Sequence, residues 1–476
     1  MPQNPYHCND FLLKKKNKTG DKMKKFDFSH RDSFTSKAGV IAAAAGSAIG
    51  LGNIWRFPYV AGENGGGAFL IVYIAFIFLI GMPVMLSELI IGRRAQRNPF
   101  GAFKLLKPGQ PWYLIGLMGI GAAFMILAFY STIAGWTLEY LYQSIIDGFS
   151  GKSSDELRDG FDIFQRSGWM PVIWQVIFMF FTAAIVWMGV KDGIEKYAKI
   201  LMPVLLLIII IISVRSVTLP GARAGIEFLF KPDFSKINAQ VILEALGQAF
   251  FSMSIGMGTL ITYGSYIYKK DNLTSTAFAV SGADTLIAVL AGVAIFPAVF
   301  AFGIDPAAGE GLVFITLPNI FQQMAGGYFW ALLFFILLAV AALTSTISVL
   351  EVVVAYFSEE LNIPRKRATA IAASLITVLG VGCTLSQGSH EHLRLWGDTL
   401  FGDLEYLSAN VLLPLGGLLI VTFVAWFMGQ KNVRAELSNE GTISTRFFGV
   451  FMFIIRFLAP IAIALVFMNG VGLLNF

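Results

Sequence analysis

The residues best suited to bind small ligands lie in the first long apolar run, where residues 46–53 read GSAIGLGN. Glycine is a poor helix former, so this stretch predicts a break in a membrane-spanning helix. Unwinding a helix inside a bilayer frees backbone groups that must find other partners. The freed carbonyls suit a hard cation such as sodium, and the freed amides suit a carboxylate. Asn53 adds a side-chain oxygen beside the break.

A second glycine-rich interruption, GQAFFSMSIGMGTLITYGSY, covers residues 247–266 and supplies Ser252 and Ser254. A glycine-rich membrane helix is more often a site of close helix packing, which is the alternative for either stretch alone. The two interruptions fall in the first and sixth predicted spans, and both have polar neighbours. This correspondence favours a ligand site formed by two broken helices, as in transporters with inverted repeats.

Other polar residues lie within apolar runs. Asp284 is deep in the seventh span, and a carboxylate there is costly enough to be a functional hypothesis by default. Glu88 in the second span is interpreted as a structural partner of unwound backbone. The sequence ALTST places three hydroxyls together in the eighth span, although such hydroxyls commonly bond to the preceding turn. They belong to Thr344, Ser345 and Thr346.

The composition indicates what must position these residues. The chain has 476 residues, of which 56% are hydrophobic and 14% are charged, against about 25% charged residues in soluble domains. It is therefore predicted to be an all-α polytopic membrane protein. Two cysteines and four histidines, the latter all outside the apolar runs, exclude a disulfide framework and an intramembrane histidine–metal site. The spans lack a His–Ser or HExxH arrangement, so an enzyme is not expected.

Apolar runs long enough to cross about 30 Å of hydrocarbon predict eleven spans. They lie near 38–60, 67–93, 111–146, 168–189, 194–216, 239–267, 274–303, 327–357, 367–385, 399–428 and 445–473. Lysine and arginine cluster before the first span and after the even-numbered ones, which places the N-terminus in the cytoplasm and the C-terminus outside. The basic tail is interpreted as a segment near anionic lipid or as solvated chain, and not as a nucleic-acid-binding arm.

The broken first and sixth spans divide the chain into two five-helix halves of opposite orientation. We expect a basic tail at 1–35, a first inverted repeat at 36–220, and a second at 221–390 that is completed by the span at 399–428. Residues 429–476 then form the last span and the C-terminus.

The stretches AAGSAIGLGNIWRFPYVAGENGGGAF, ITYGSY and ALTST resemble the neurotransmitter:sodium symporters, specifically the bacterial amino-acid branch with the LeuT fold. The resemblance covers nearly the whole chain from about residue 30. It implies a 5+5 inverted repeat with unwound helices 1 and 6. It also implies that Gly193 and Pro203 let the inner half of the fifth span unwind and admit water to a sodium site.

By the same resemblance, two sodium ions would bind. The first site would use Ala48, Asn53, Ser252, Asp284 and the substrate carboxylate. The second would use Gly46, Ile49, Ala341, Thr344 and Ser345. The substrate carboxylate would meet the amides of Leu51 and Gly52 and the hydroxyl of Tyr130, beside Ala48, Gly50 and Ser252. The side-chain pocket would comprise Ile126, Ile133, Phe251, Ser254, Met257, Thr346 and Val349, with Phe251 as the lid.

Gates would close both sides of this site. Arg56 with Glu405 would form the outer salt bridge, although the spacing in GDLEYL leaves Asp403 as an alternative. Arg31 with Glu359 would form the inner one, and Tyr266 would lie near it. The sequence departs from the family at one inner position, where Phe34 replaces a common tryptophan.

Two further departures bear on the substrate and the ions. Gly50 occupies the position that carries aspartate in the biogenic-amine branch, so the substrate should bring its own carboxylate as an amino acid. Asp284 replaces the asparagine of animal members, and Ala288 lies one turn on where they carry a chloride-binding serine. A fixed carboxylate can supply the charge that chloride otherwise gives. We therefore expect chloride independence, with proton antiport left open.

The sequence thus predicts a symporter that imports a hydrophobic or aromatic L-amino acid with sodium across the bacterial inner membrane. Its partners would be this small molecule and the lipid bilayer, without nucleic acid. The oligomeric state is left open, a monomer included. The alternative is an amino-acid-gated ion channel or a transport-like sensor. Saturable flux that accumulates substrate against its gradient would exclude a channel.

Overall fold

A computed structural model describes residues 33–304 and 311–474. Within these residues the regular structure is helical. In chain order the helices are α1 Lys37–Ala48, α2 Gly52–Glu63, α3 Gly67–Ala95, α4 Pro99–Leu106, α5 Tyr113–Ile145, α6 Ser154–Arg166, α7 Trp169–Trp187, α8 Val190–Val217 and α9 Ala222–Phe230. They continue with α10 Ala239–Ser252, α11 Thr259–Gly264, α12 Leu273–Ala301, α13 at 312–323, α14 Gly327–Glu359, α15 Arg365–Ser386, α16 Leu400–Phe427, α17 Gln430–Leu437 and α18 Phe448–Gly470.

Nine helices of the described chain are long and apolar enough to cross a membrane, and α1 with α2 makes a tenth span if this bent pair counts as one. The all-α membrane class is therefore confirmed. The remaining predicted span, near 239–267, consists of α10 and α11, each too short to cross alone. The count of eleven spans stays a prediction.

The first span bends by 51° between α1 and α2. Ile49 ends α1 in an extended conformation, with φ −82° and ψ 99°. In the sixth, α10 ends at Ser252 and α11 begins at Thr259. Residues with positive φ fill that gap, among them Ser254 at 53° and Gly256 at 93°. Such backbone cannot continue a right-handed helix, so the chain leaves the helix at both glycine-rich stretches.

Side chains from other helices bond to the interrupted backbone. Glu88 on α3 is fully buried, and its Oε1 accepts a hydrogen bond from the Gly256 amide at 2.7 Å. The prediction that Glu88 is a structural partner of unwound backbone is therefore confirmed. Ser254 donates from Oγ to the Ser47 carbonyl at 2.9 Å, which links the two interruptions directly.

The unbroken helices form the surroundings of the broken pair. The two 33-residue helices α5 and α14 pack along each other, and α7 and α15 pack against them. Helix α1 packs against α8, α12 and α14, whereas α10 and α11 pack against α3. The expected unwinding at Gly193 and Pro203 does not occur in this structure, where α8 is helical from Val190 through Pro203.

We predict that Gly256→Ala destabilises the protein strongly. A Cβ at Gly256 would lie 2.3 Å from the Leu413 carbonyl oxygen, and the φ of 93° is itself unfavourable for alanine. The expected loss is about 1–3 kcal/mol, measured as a lower unfolding temperature in detergent. The matched control is Gly282→Ala in α12, where a Cβ meets nothing within 4 Å. Equal unfolding temperatures for the two variants would contradict this account.

Candidate functional site

A buried polar cluster lies where the two broken helices meet α12. Asn53 donates from Nδ2 to Asp284 Oδ1 at 2.8 Å and to Ser252 Oγ at 3.1 Å. Ser252 in turn donates to the same carboxylate oxygen at 2.6 Å. All three side chains are almost fully inaccessible to solvent. The structure thus brings together the three side chains that the sequence predicts for the first sodium site.

The charge of this cluster is unbalanced within the described residues. Asp284 is buried, and its contacts there are with neutral groups and not with lysine or arginine. A buried carboxylate without a cationic partner is strongly unfavourable. Neutral oxygens surround it, including Ser252 Oγ and the Asn53 amide oxygen that accepts from the Gly50 amide at 3.3 Å. Such a set of oxygens suits a hard cation.

Sequence reasoning missed two residues of this cluster. The Tyr73 hydroxyl on α3 donates to Asp284 Oδ2 at 3.1 Å and lies 3.1 Å from Ser252 Oγ. Gln248 on α10 donates from Nε2 to the Gly52 carbonyl at 2.9 Å. A tyrosine or glutamine within an apolar run normally needs a hydrogen-bond partner when buried. That rule could have drawn attention to both.

A second group of oxygens lies between α1 and α14 and is entirely neutral. The Thr344 hydroxyl is 3.5 Å from the Ile49 carbonyl and bonds to the Ala341 carbonyl at 3.0 Å. The Ser345 hydroxyl is 3.4 Å from the Gly46 carbonyl. The five residues that the sequence predicts for the second sodium site therefore converge in space.

A cavity of about 40 Å³ lies beside these clusters. The Leu51 amide, freed by the break, donates to the Tyr130 hydroxyl at 3.0 Å next to it. A Cβ at Gly50 would lie 2.3 Å from Ser345 Oγ and 2.9 Å from the Tyr130 hydroxyl. Any side chain at position 50 would therefore take the space beside the freed amide.

Most of the predicted pocket residues line this cavity. Its walls include Ala48, Gly50, Gly52, Ile126, Tyr130, Phe251, Ser252, Ser254, Met257 and Val349, together with Ser47, Leu127, Ser345 and Leu413, which sequence reasoning did not place there. Ile133 and Thr346 are buried outside the lining. The Thr346 hydroxyl instead lies 2.9 Å from the Thr182 hydroxyl on α7, so it points towards that helix. Their roles in the pocket stay predictions.

On the side of α2, the Arg56 guanidinium lies 4.6 Å from the centre of the Phe251 ring, which covers the cavity. The predicted outer pair of Arg56 with Glu405 stays a prediction. The alternative acid, Asp403, is buried and accepts hydrogen bonds from the backbone amides of residues 395–398 at 2.6–3.3 Å. Asp403 therefore stabilises the loop at residues 395–398.

On the opposite side, Tyr266 donates to Glu351 Oε1 at 2.6 Å, and Arg365 binds the same carboxylate at 2.9 and 2.6 Å. Glu351 is fully buried in α14. Sequence reasoning found Tyr266 but missed the roles of Glu351 and Arg365. A charged residue within an apolar span is a functional hypothesis by default, and that rule applied to Glu351 as it did to Asp284.

The predicted inner pair of Arg31 and Glu359 cannot be placed, because Arg31 lies outside the described residues. Glu359 accepts from the backbone and side-chain nitrogens of Asn98 at 2.8 and 2.9 Å. Phe34 is fully buried and packs edge-on against Tyr263 and Tyr266, with ring centres 5.6 and 6.0 Å apart. This aromatic layer separates the cavity from the side on which α1 begins.

Comparison with known proteins accords with this geometry. A model described as the sodium:neurotransmitter symporter family matches residues 31–156 and 156–475. The crystal structure of MhsT in complex with L-phenylalanine is 45% identical, with a TM-score of 0.85 over 92% of this chain and all of that one. An uncharacterized sodium-dependent transporter of Bacillus subtilis is 39% identical over 93% of this chain and 98% of its own length. Another, from Haemophilus influenzae, is 36% identical over 92% and 98%.

We predict that Arg365→Met destabilises the protein because it leaves Glu351 buried without its cation. The expected loss is about 2–3 kcal/mol, below the range for fully buried pairs, since Arg365 is 22% exposed. Thermal unfolding in detergent measures it. The double variant Glu351→Gln with Arg365→Met should recover part of that loss, because the uncompensated charge is gone. A double variant less stable than Arg365→Met would contradict the ion-pair interpretation.

Proposed function

The chain belongs to the sodium:neurotransmitter symporter family, and on that premise we propose that it imports an apolar or aromatic L-amino acid with two sodium ions. As a family member it is a sodium-dependent membrane symporter and not an enzyme. One observation carries the finer proposal. Freed backbone at residues 49–53 lies between a carboxylate without a cationic partner in the described chain and a small apolar cavity.

The first sodium ion binds at Asp284, Ser252, Asn53 and the Ala48 carbonyl. The fixed negative charge of Asp284 supports this assignment, because it needs a cation and its neighbours are oxygen ligands. The substrate carboxylate completes this set of ligands. Substrate and sodium then stabilise each other's binding, and this coupling is reciprocal by thermodynamic necessity.

The second sodium ion binds at the carbonyls of Gly46, Ile49 and Ala341 and the hydroxyls of Thr344 and Ser345. Its ligands are all neutral, so its affinity depends on geometry alone. The inner half of α8 borders this site, because a Cβ at Gly46 would lie 3.4 Å from Met202 Sδ on that helix. Movement of α8 between Gly193 and Pro203 would therefore give water access to the second ion.

The substrate carboxylate binds the amides of Leu51 and Gly52 and the hydroxyl of Tyr130. The bond from the Leu51 amide to the Tyr130 hydroxyl supports this, because a carboxylate oxygen can accept from that amide in place of Tyr130 and can also accept from the hydroxyl. Gly50 leaves no room for an acidic side chain beside Ser345. An amine without its own carboxylate would leave the first sodium ion incompletely coordinated, which favours amino acids over biogenic amines.

The substrate side chain lies against mainly apolar walls formed by Ile126, Met257, Val349, Phe251 and Leu413. The hydroxyl of Ser254, which lies between α10 and α11, also lines the cavity and is already bonded to the Ser47 carbonyl. A solved relative binds L-phenylalanine, which supports the same substrate class here. A side chain of that size requires these walls to move apart, and Met257 has the flexibility to do so.

Alternating access follows from gates on the two sides of this site. Arg56 and Phe251, with Glu405, close the outer side, whereas Tyr266, Glu351 and Arg365 close the inner one, assisted by Arg31 with Glu359. We propose that the protein lies in a bacterial inner membrane with its N-terminus inside and its C-terminus outside, in keeping with the positively charged loops.

Sodium-driven uptake into proteoliposomes is the direct test. We expect labelled L-phenylalanine to accumulate above its external concentration only with inward sodium and potential gradients. Two entering charges add about 4.6 kcal/mol at −100 mV. Replacing sodium with choline should abolish both uptake and binding. Downhill flux without accumulation would instead indicate a channel, and equally tight binding without sodium would refute the shared site.

We predict that Asp284→Asn makes activity chloride-dependent or weakens sodium affinity. Asp284 supplies a fixed charge beside the first site, and Ala288, one turn on, is buried and lacks a hydroxyl. Loss of a charged contact should lower sodium affinity at least about tenfold, measured by sodium titration of substrate binding with and without chloride. Ser281→Ala, also buried on α12, is the control. Wild-type ion dependence in Asp284→Asn would show that the carboxylate is structural.

A further inference from the structure

Arg456 lies about two turns into α18, within a helix that qualifies as a membrane span, and it is partly exposed. Charged side chains in such positions are costly and mark function. Arg456 takes no part in the transport site, because residues of α18 do not line its cavity. Its role therefore needs a separate explanation.

The contacts of Arg456 are with neutral groups. Its Nε and Nη2 donate to the Ala425 carbonyl, each at 3.3 Å, and its guanidinium lies 5.2 Å from the centre of the Trp426 ring. With the Gln430 amide oriented so that its oxygen faces Arg456, that oxygen accepts from Nη1 at 3.1 Å. These groups satisfy N–H donors but do not balance the charge. No carboxylate of the described chain forms an ion pair with Arg456.

The contrast with Arg93 shows that the chain pairs a buried cation in the same region. Arg93 is 1% exposed, and its Nε binds Glu436 Oε2 at 2.9 Å on the same side of the molecule. Arg456, which faces lipid on one side, has neutral partners only within the described residues. Its counter-charge is therefore expected to come from the surroundings.

The guanidinium lies near the end of its predicted membrane span. Side chains on a helix point towards its N-terminus, and that of Arg456 reaches Ala425 near the end of α16 and Gln430 at the start of α17. A long cationic side chain commonly extends to the headgroup region in this way. The charge is thus near the end of the span, where we expect lipid headgroups, and not in its middle.

Three exposed aromatic rings form a strip next to the Arg456 guanidinium on the outer surface of the protein. Trp426, Phe453 and Phe457 are 57%, 55% and 47% exposed. Ring centres are 6.3 Å apart for Trp426 and Phe457, and 5.5 Å apart for Phe453 and Phe457. An unbalanced cation next to an exposed apolar strip matches the two ends of one lipid molecule.

We propose that an anionic phospholipid binds between α16 and α18, in the leaflet that faces α17. Its phosphate binds the Arg456 guanidinium, and an acyl chain lies along Trp426, Phe453 and Phe457. Arginine suits this role because its planar, always-charged group matches phosphate geometry. The occupant is a membrane lipid and not free phosphate, because the aromatic strip offers nothing to an inorganic anion.

Native mass spectrometry of the full-length protein tests this, with phosphatidylglycerol or phosphatidylcholine added to the detergent. We expect wild type to retain phosphatidylglycerol about fivefold better, the ratio for one cation near an anionic surface. Arg456→Gln should retain both lipids equally, and Arg456→Lys should keep most of the preference. The control is Arg223→Gln, because Arg223 is 90% exposed and already paired with Glu227 at 2.8 Å. It should behave as wild type.

Three results would overturn the proposal. They are an undiminished preference in Arg456→Gln, an equal loss in Arg223→Gln, and displacement of the lipid by millimolar inorganic phosphate. Trp426→Leu serves as a second variant if Arg456→Gln does not fold, and it should lower retention of both lipids. Sodium-dependent substrate binding by the same samples separates failure of this site from failure of the transport proposal.

Discussion

A lipid bilayer offers no water to unpaired backbone groups, and this constraint accounts for much of the interior of the protein. Two helices are interrupted, and side chains form hydrogen bonds with backbone groups that the interruptions leave without helical partners. Glu88 accepts a hydrogen bond from the Gly256 amide, Gln248 donates to the Gly52 carbonyl, and Ser254 donates to the Ser47 carbonyl. Groups without such a permanent protein partner are the ones left for ligands. Selectivity in this arrangement therefore depends on which backbone groups remain available as much as on the side chains nearby.

Part of the site could be predicted because its residues are conspicuous in an apolar sequence, whereas the pocket residues and most of the ion ligands followed from the family resemblance. Asn53 and Asp284 are unusual in a membrane span, and the structure brings these side chains within hydrogen-bond distance of each other. The two groups of hydroxyls were equally visible as short polar runs. Helix class and most helix positions followed from apolar length, whereas the span count depended on how a broken helix is treated.

The residues that were missed are those whose role depends on packing between distant helices. Tyr73 lies in a uniformly apolar run, and only the contact of α3 with α12 brings it to Asp284. Glu351 and Arg365 are 14 residues apart and meet because α14 and α15 are antiparallel neighbours. Thr346 was expected in the pocket, yet its hydroxyl faces α7. Successive residues of a helix point in different directions, so the neighbouring Ser345 lines the cavity and Thr346 does not.

The paired contacts across the two breaks have a mechanical consequence. On one side, α2 and α10 are tied by the bonds from Asn53 to Ser252 and from Gln248 to Gly52. On the other, Phe34 at the start of α1 packs on Tyr263 of α11. Each half-helix thus contacts the half-helix on its own side of the breaks. The interrupted backbone, between α1 and α2 and between α10 and α11, lies between these two pairs. A bend in one broken helix would therefore act on the other through these contacts. The site lies at the breaks, between the two sets of contacts that couple the helices.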